Sequence, residues 1–113
     1  MKYIKETKDV AKVTFNVTQE DIDTGRYMNP NHCPVAKAIK RKYPNGNVTV
    51  ILTEASVYIP QPIKFKLFRV GKAKFIRINL PKKVKAFITN FDSYGSSDLK
   101  PFSFEAEVLE IKA

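Results

Sequence analysis

The chain has one histidine and one cysteine, and they are adjacent at His32 and Cys33. A structural zinc site needs about four nitrogen or sulfur ligands and a catalytic site about three, so this pair alone forms neither. A Cys–His nucleophile requires the imidazole to reach the thiol, which adjacent residues at a helix start seldom allow. A helix N-terminus would give Cys33 some thiolate character. We nevertheless predict a half-buried cysteine beside a helix cap, with Asn31 or His32 satisfying free backbone N–H groups.

Other catalytic patterns are weak in this sequence. Acidic residues are few, and Glu105 and Glu107 alternate as expected for the solvent face of a strand. The four glycines are dispersed over predicted turns, caps and loops, so they form no phosphate-binding loop. We predict a protein that is not an enzyme, with no catalytic residue, no metal site and no cofactor.

Positive charge is concentrated in the middle of the chain. The 113 residues carry a net charge of +9, and residues 26–85 hold 14 basic side chains against 1 acidic one. This segregation favours an anionic partner such as nucleic acid, a nucleotide or an acidic protein surface. A lysine-rich surface that only maintains solubility is the alternative.

The first part of the chain predicts a strand and a short helix. Apolar and polar residues alternate over residues 11–17, which is typical of a half-buried strand. Thr18 can cap the helix with Asp21 as its partner, Ile22 can pack on the residue before the cap, and Gly25 suits the end.

Pro34 to Lys42 predicts a basic amphipathic helix. Proline suits the first helical position, and Pro44 stops the helix. The inward stripe consists of Val35, Ala38 and Ile39. The remaining sides carry the cations Lys37, Lys40, Arg41 and Lys42.

Two strands and a hairpin are predicted next. "VTVILT" places Val48, Val50 and Leu52 on one face, and "SVYI" ends at Pro60. The turn Gly71-Lys72 then pairs residues 63–70 with residues 73–80. In this register Phe65 lies opposite Ile78, Leu67 opposite Ile76, Lys66 opposite Arg77, and Phe68 opposite Phe75.

The Phe68–Phe75 face of this hairpin is flanked by Lys64, Lys66 and Arg77. Bases could stack on two such rings while the cations neutralise phosphates. Alternatively, a helix covers this face and the two phenylalanines belong to the core.

The last part of the chain predicts a helix and a strand. After Pro81, residues Val84, Phe87, Ile88 and Phe91 form one helical stripe, with Lys82 and Lys83 outside it. Residues 102–111 alternate as a strand. We predict a single α+β domain over residues 1–113: an antiparallel sheet of about five strands, two main helices and one short helix.

Four segments in order, "FNVTQEDIDTG", "CPVAKAI", "LPKKVKAFITNFD" and "KPFSFEAEV", resemble a group of small bacteriophage proteins. The shared patterns are V-T-x-x-x-I-x-x-G, C-P-[VI]-A-x-A-[IL], L-P-x-x-x-x-x-F-I-x-x-F-D and P-F-x-F-E. The segment between Pro60 and Leu80 departs from the group because it is longer and more basic. The resemblance implies a phage-encoded accessory protein in the host bacterial cytoplasm, and it implies no activity and no catalytic residue.

No apolar run approaches the roughly 18 residues of a membrane span, and the charged N-terminus lacks the apolar core of a signal peptide, so we expect an intracellular protein without a membrane partner. We expect it to bind nucleic acid, or a nucleic-acid-bound host complex, and to counteract host defence. Alternatives are a binder that sequesters an anionic nucleotide between protomers, and a structural or protein-interaction module. The predicted anion-binding residues are Lys37, Lys40, Arg41, Lys42, Lys64, Lys66, Phe68, Phe75, Arg77, Lys82 and Lys83.

Overall fold

The computed structural model describes residues 7–60, 74–95 and 99–112. These residues form one antiparallel sheet in the order β1–β5–β4–β3–β2, together with three helices. The predicted α+β class and the five-stranded antiparallel sheet are confirmed. In chain order, the elements are β1 (Thr7–Val17), α1 (Gln19–Thr24), α2 (Pro34–Lys42), β2 (Asn47–Val50), β3 (Glu54–Ile59), β4 (Lys74–Asn79), α3 (Lys82–Tyr94) and β5 (Phe102–Lys112).

The helices lie on one face of the sheet. β1 and β2 are at opposite edges, and the connection between them carries α1 and α2 across that face, where α2 contacts both edge strands. α3 joins the neighbouring strands β4 and β5 and packs on the same side, with the Phe87 and Phe102 rings 4.8 Å apart. We call this side the helix-covered face and the opposite side the open face.

The core fills the space between the helices and the sheet. The predicted inward residues of α2, namely Val35, Ala38 and Ile39, are almost fully buried, as are Val84 and Phe91 of α3. Burying one of the larger aliphatic or aromatic side chains among them stabilises the fold by roughly 1.5–3 kcal/mol. The helical stripes predicted from the sequence therefore pack against the strand residues that alternate inward.

The start of α1 has the predicted capping box. The Asp21 backbone N–H donates to Thr18 Oγ1 at 3.1 Å, and the Thr18 N–H donates to Asp21 Oδ2 at 2.9 Å. Gly25 follows the helix. Its φ of −69° is open to any residue, so the backbone conformation does not require glycine at this position. Close packing requires it instead, because a Cβ there would lie 2.6 Å from Cδ of Pro34.

The predicted inward position of Leu52 is wrong. β2 ends at Val50, and the Ile51 N–H donates to the Glu54 carbonyl at 2.9 Å in a tight turn that reverses the chain. Leu52 therefore lies in the turn, where it is 49% exposed. Its neighbours Val48 and Val50 are buried as predicted.

The predicted pairing of β4 in a hairpin is also wrong. Ile76 lies opposite Val57 on one side and Glu110 on the other, so both edges of β4 are already paired there. Ile78, Arg77 and Phe75 are likewise paired on both sides, with β3 and β5. The turn at Gly71-Lys72 and the strand over residues 63–70 lie outside the described residues. The alternation of β4 shows which side chains share a face, but it does not show whether β4 pairs with a preceding hairpin strand or with β3 and β5.

None of the helices in the described ranges is both long enough and apolar enough to cross a membrane.

Candidate nucleic-acid interface

Two aromatic side chains are adjacent on the open face. Phe75 of β4 lies directly opposite Tyr58 of β3, and the two side chains are 40% and 44% exposed. Their sequence neighbours Val57 and Ile76 point the other way and are buried, because successive side chains of a strand alternate between faces. Side chains that face each other in this way have Cβ atoms about 4.5–5.5 Å apart. No described helix covers this pair, so the Phe75 face of β4 is accessible.

Arg77 adds a cation to the same face. It is two residues from Phe75 on β4, and half of its side chain is exposed. Its Nε atom lies 3.8 Å from Oε1 of Glu54, near the upper limit for an ion pair. An exposed pair of this kind contributes only about 0–1 kcal/mol, so the guanidinium can exchange this partner for a phosphate at little cost.

The open face is divided by charge. On β5, Glu105 and Glu107 are exposed, and Lys12 of β1 lies opposite Glu107. These carboxylates repel a polyanion from the β1–β5 side. On the β3–β4 side, the described charges are those of Arg77 and Glu54, next to the aromatic pair.

The predicted residues Lys64, Lys66 and Phe68 lie outside the described residues. The segment that contains them, residues 61–73, carries four cations and no acidic residue. It joins the strand of Tyr58 to the strand of Phe75. Covalent connection thus ties a stretch with four cations and no acidic residue to the strands that carry the aromatic pair.

Two predicted cations of α2 already have partners within the chain. Arg41 donates through Nη2 to Oδ1 of Asp21 and through Nη1 to the carbonyl oxygen of Asn16 at 3.1 Å. Lys40 donates from Nζ to the carbonyl oxygen of Gly46 at 2.6 Å. Both side chains therefore fasten α2 to neighbouring segments as well as contributing positive charge.

Other predicted cations lie on the helix-covered side. Lys42 is above the Phe15 ring, with Nζ 5.9 Å from its centroid, and Lys83 is above the Phe102 ring at 6.0 Å. Phe15, Phe104 and Phe102 form a continuous row on that face. Lys82 is exposed in the first turn of α3. Among described residues, the predicted set is therefore split between two surfaces separated by the sheet, and only Phe75 and Arg77 share the open face.

Cys33 is the N-cap of α2 and is only 6% exposed. Burial raises the pKa of its thiol, although the nearby backbone N–H groups of Ala36 and Val35 act in the opposite direction. Desolvation thus outweighs the effect of the helix N-terminus, in agreement with our preference for a packed cysteine over a reactive one. Cys33 is packed as predicted, but it is itself the cap residue and is buried instead of half-buried.

Asn29, and not Asn31 or His32, supplies the side-chain acceptor that orders the loop before α2. Its Oδ1 atom accepts from the backbone N–H groups of Asn31 at 3.1 Å and of His32 at 3.0 Å, an arrangement common for Asn in turns. Asn31 instead donates its side-chain amide to the Val48 carbonyl at 2.7 Å. The loop before α2 is thereby attached to the outer edge of β2.

Tyr58 is the residue of this interface that the sequence analysis missed. The alternation in "SVYI" indicates that the side chains of Tyr58 and Val57 point to opposite faces of the sheet. Its position beside Phe75 depends on the pairing of β3 with β4, which alternation does not reveal.

Within the described part of the chain, no group of three or more His, Cys, Asp and Glu side chains is positioned to hold a metal ion. Comparison of the chain with protein-family models, curated proteins and solved structures found no match. The resemblance to bacteriophage proteins stays a prediction from the four motifs.

Proposed function

We propose that this protein is a non-enzymatic binder of single-stranded nucleic acid that uses the β3–β4 side of its open face. The observation that carries the proposal is the exposed pair Tyr58 and Phe75, which lie opposite each other beside Arg77. Aromatic rings on an open antiparallel sheet offer stacking surfaces to unpaired bases, and each stacked base contributes about 1–3 kcal/mol.

The charge distribution supports the same partner. Phosphates attract Arg77 and the four cations of residues 61–73, while Glu105 and Glu107 disfavour the other side of the face. Single strands are favoured over duplex because stacking on a protein ring requires a base that is not already stacked within a double helix.

The motif resemblance adds a setting to this proposal. A phage-encoded accessory protein in the host bacterial cytoplasm would meet single-stranded phage or host nucleic acid, alone or bound by a host complex. Interference with a host defence that acts on such nucleic acid is the role that we propose for it there.

Fluorescence anisotropy with a labelled oligothymidylate at low salt tests the proposal. Phe75→Ala and Tyr58→Ala should each weaken binding about 5- to 150-fold, which corresponds to the loss of one stacked base. Tyr94→Ala is the matched control, because Tyr94 is an 80% exposed aromatic residue on α3 and should tolerate the change within about twofold.

Circular dichroism spectra should show that all three variants are folded, since the substituted side chains are exposed. Absence of binding by the native protein at low salt would overturn the proposal. Equal losses in Tyr94→Ala and Phe75→Ala would also overturn it, because binding would then not depend on the open face.

A further inference from the structure

A recess lies at the β2 edge of the sheet, between α1, α2 and the start of β2. Its volume is about 590 Å³, within the ~300–1,000 Å³ typical of small-molecule sites. α1 and α2 form two walls, and the loop before α2 and the first residues of β2 form the others. Besides Asp21 and Arg41, its polar lining residues include Glu20, Asn31, His32, Lys37, Lys40 and Asn47.

The charges in this recess leave two ammonium groups available. Arg41 and Asp21 also line it, but they neutralise each other in an ion pair. Lys37 and Lys40 are three residues apart on α2, so their side chains emerge on the same side of the helix. Lys40 donates one hydrogen to the Gly46 carbonyl, and an ammonium group has three. Lys37 has no ion-pair partner among the residues that the structure describes.

The other lining groups suit the uncharged part of a ligand. The side-chain amide of Asn31 is held by its hydrogen bond to the Val48 carbonyl oxygen. The Oδ1 atom of Asn31 accepts no hydrogen bond from any described residue. The His32 ring is oriented by Nδ1, which lies 3.3 Å from Oδ1 of Asn29, and its second nitrogen is not engaged by that contact. Glu20 adds a carboxylate that accepts hydrogen bonds from hydroxyl or amino groups.

We infer that this recess binds a phosphomonoester of nucleotide size. The phosphate contacts Lys37 and Lys40, and the hydroxyl-bearing remainder lies toward Glu20 and Asn31. Two ammonium groups on adjacent turns match the two charges of a phosphomonoester better than the single charge of a carboxylate. This site is separate from the open face, so it is a second binding function within one chain.

Isothermal titration calorimetry with adenosine monophosphate, inorganic phosphate and adenosine tests the inference. The native protein should bind adenosine monophosphate saturably with one molecule per chain. Inorganic phosphate should bind more weakly because it leaves the rest of the recess empty, and adenosine should give no saturable heat because it lacks the phosphate. Lys37→Gln should weaken binding of adenosine monophosphate at least tenfold, roughly the loss of one charged hydrogen bond.

Two further variants separate a local effect from a general one. Lys82→Gln removes the same charge from α3, outside the recess, and should leave the affinity within about twofold. Glu20→Gln keeps one hydrogen-bond-accepting oxygen but removes a negative charge that repels the phosphate, so it should strengthen binding, a direction that damage to the fold would not produce.

Equal affinity of the native protein and Lys37→Gln would overturn the inference, as would tight binding of adenosine. Loss of binding in Phe75→Ala would also overturn it by placing the ligand on the open face. A different result is that the native protein binds adenosine monophosphate but no oligonucleotide, with Phe75→Ala binding adenosine monophosphate equally well. That result would support the recess and rule out the proposed function.

Discussion

At the scale of single residues, environment decides chemistry more strongly than residue type. Cys33 occupies a helix N-cap, a position that stabilises a thiolate, yet it is buried and its thiol pKa is raised. Arg41 looks like a free cation of a basic helix, yet it is bonded to Asp21 and Asn16. Tyr58 looks like an ordinary strand residue, yet it lies beside Phe75 on an exposed face.

The raised pKa of Cys33 predicts a loss of stability at alkaline pH. A thiol whose pKa is higher in the folded than in the unfolded protein stabilises the fold below its ordinary pKa of 9.0, and this contribution disappears as pH rises through the folded value. In reducing buffer, the free energy of unfolding should fall more between pH ~7 and ~10.5 for the native protein than for Cys33→Ala.

Urea unfolding at each pH measures this difference. Tyr43, whose pKa is also raised by burial and by Glu110, is present in both proteins and cancels in the comparison. Parallel pH profiles for the two proteins would show that Cys33 ionises as readily in the folded state as in the unfolded state.

At the scale of elements, the Asp21–Arg41 ion pair joins three of them. Asp21 of α1 is 4% exposed, caps its own helix through the Thr18 N–H and binds Arg41 of α2. Arg41 in turn donates to the Asn16 carbonyl at the end of β1. Asp21 and Arg41 therefore fix the angle at which the crossing connection leaves the edge strand.

Arg41→Met should destabilise the fold by about 1–3 kcal/mol, because it leaves the buried Asp21 carboxylate without its charged partner. Lys37→Met on the same helix is the matched control and should change stability by less than about 0.5 kcal/mol. Urea unfolding of both variants, of Asp21→Ala and of Asp21→Ala with Arg41→Met provides a double-mutant cycle. Strictly additive losses would show that the two side chains do not stabilise each other.

At the scale of the whole molecule, the sheet separates the described cations of the helices from the aromatic pair of the open face. The cations of α2 and α3 lie on the helix-covered side, whereas Arg77 lies on the open face with Phe75 and Tyr58. Although the net charge of the chain is +9, the described cations do not form a single surface. Nucleic acid on the open face should respond to changes on that face and be nearly indifferent to those on the other.

The salt dependence of oligothymidylate binding measures this separation. Each phosphate neutralised on a single strand contributes about −0.7 to the slope of log affinity against log salt concentration. Arg77→Gln should make the slope less steep by about that amount, whereas Lys82→Gln should leave it unchanged although it removes the same charge. An equal change in both variants would mean that the strand spans both sides or contacts the helix layer.

The sequence by itself determined what depends on near neighbours in the chain. Alternation identified the inward residues of β1 and β5, the 3.6-residue period identified the buried stripes of α2 and α3, and the Thr18–Asp21 spacing identified a cap. These features are local, because a side chain's direction relative to its own backbone follows from the backbone dihedrals. The antiparallel α+β class and the concentration of positive charge follow from the same reasoning.

Only the tertiary structure decided which elements are neighbours. β4 has the alternation of a hairpin strand, but β3 and β5 occupy its two edges, so Phe75 lies beside Tyr58. Strand pairing depends on how the whole core packs, and the sequence patterns of β3, β4 and β5 are compatible with several orders. For the same reason the described cations of the middle segment, which are neighbours along the chain, are distributed over opposite faces of one sheet.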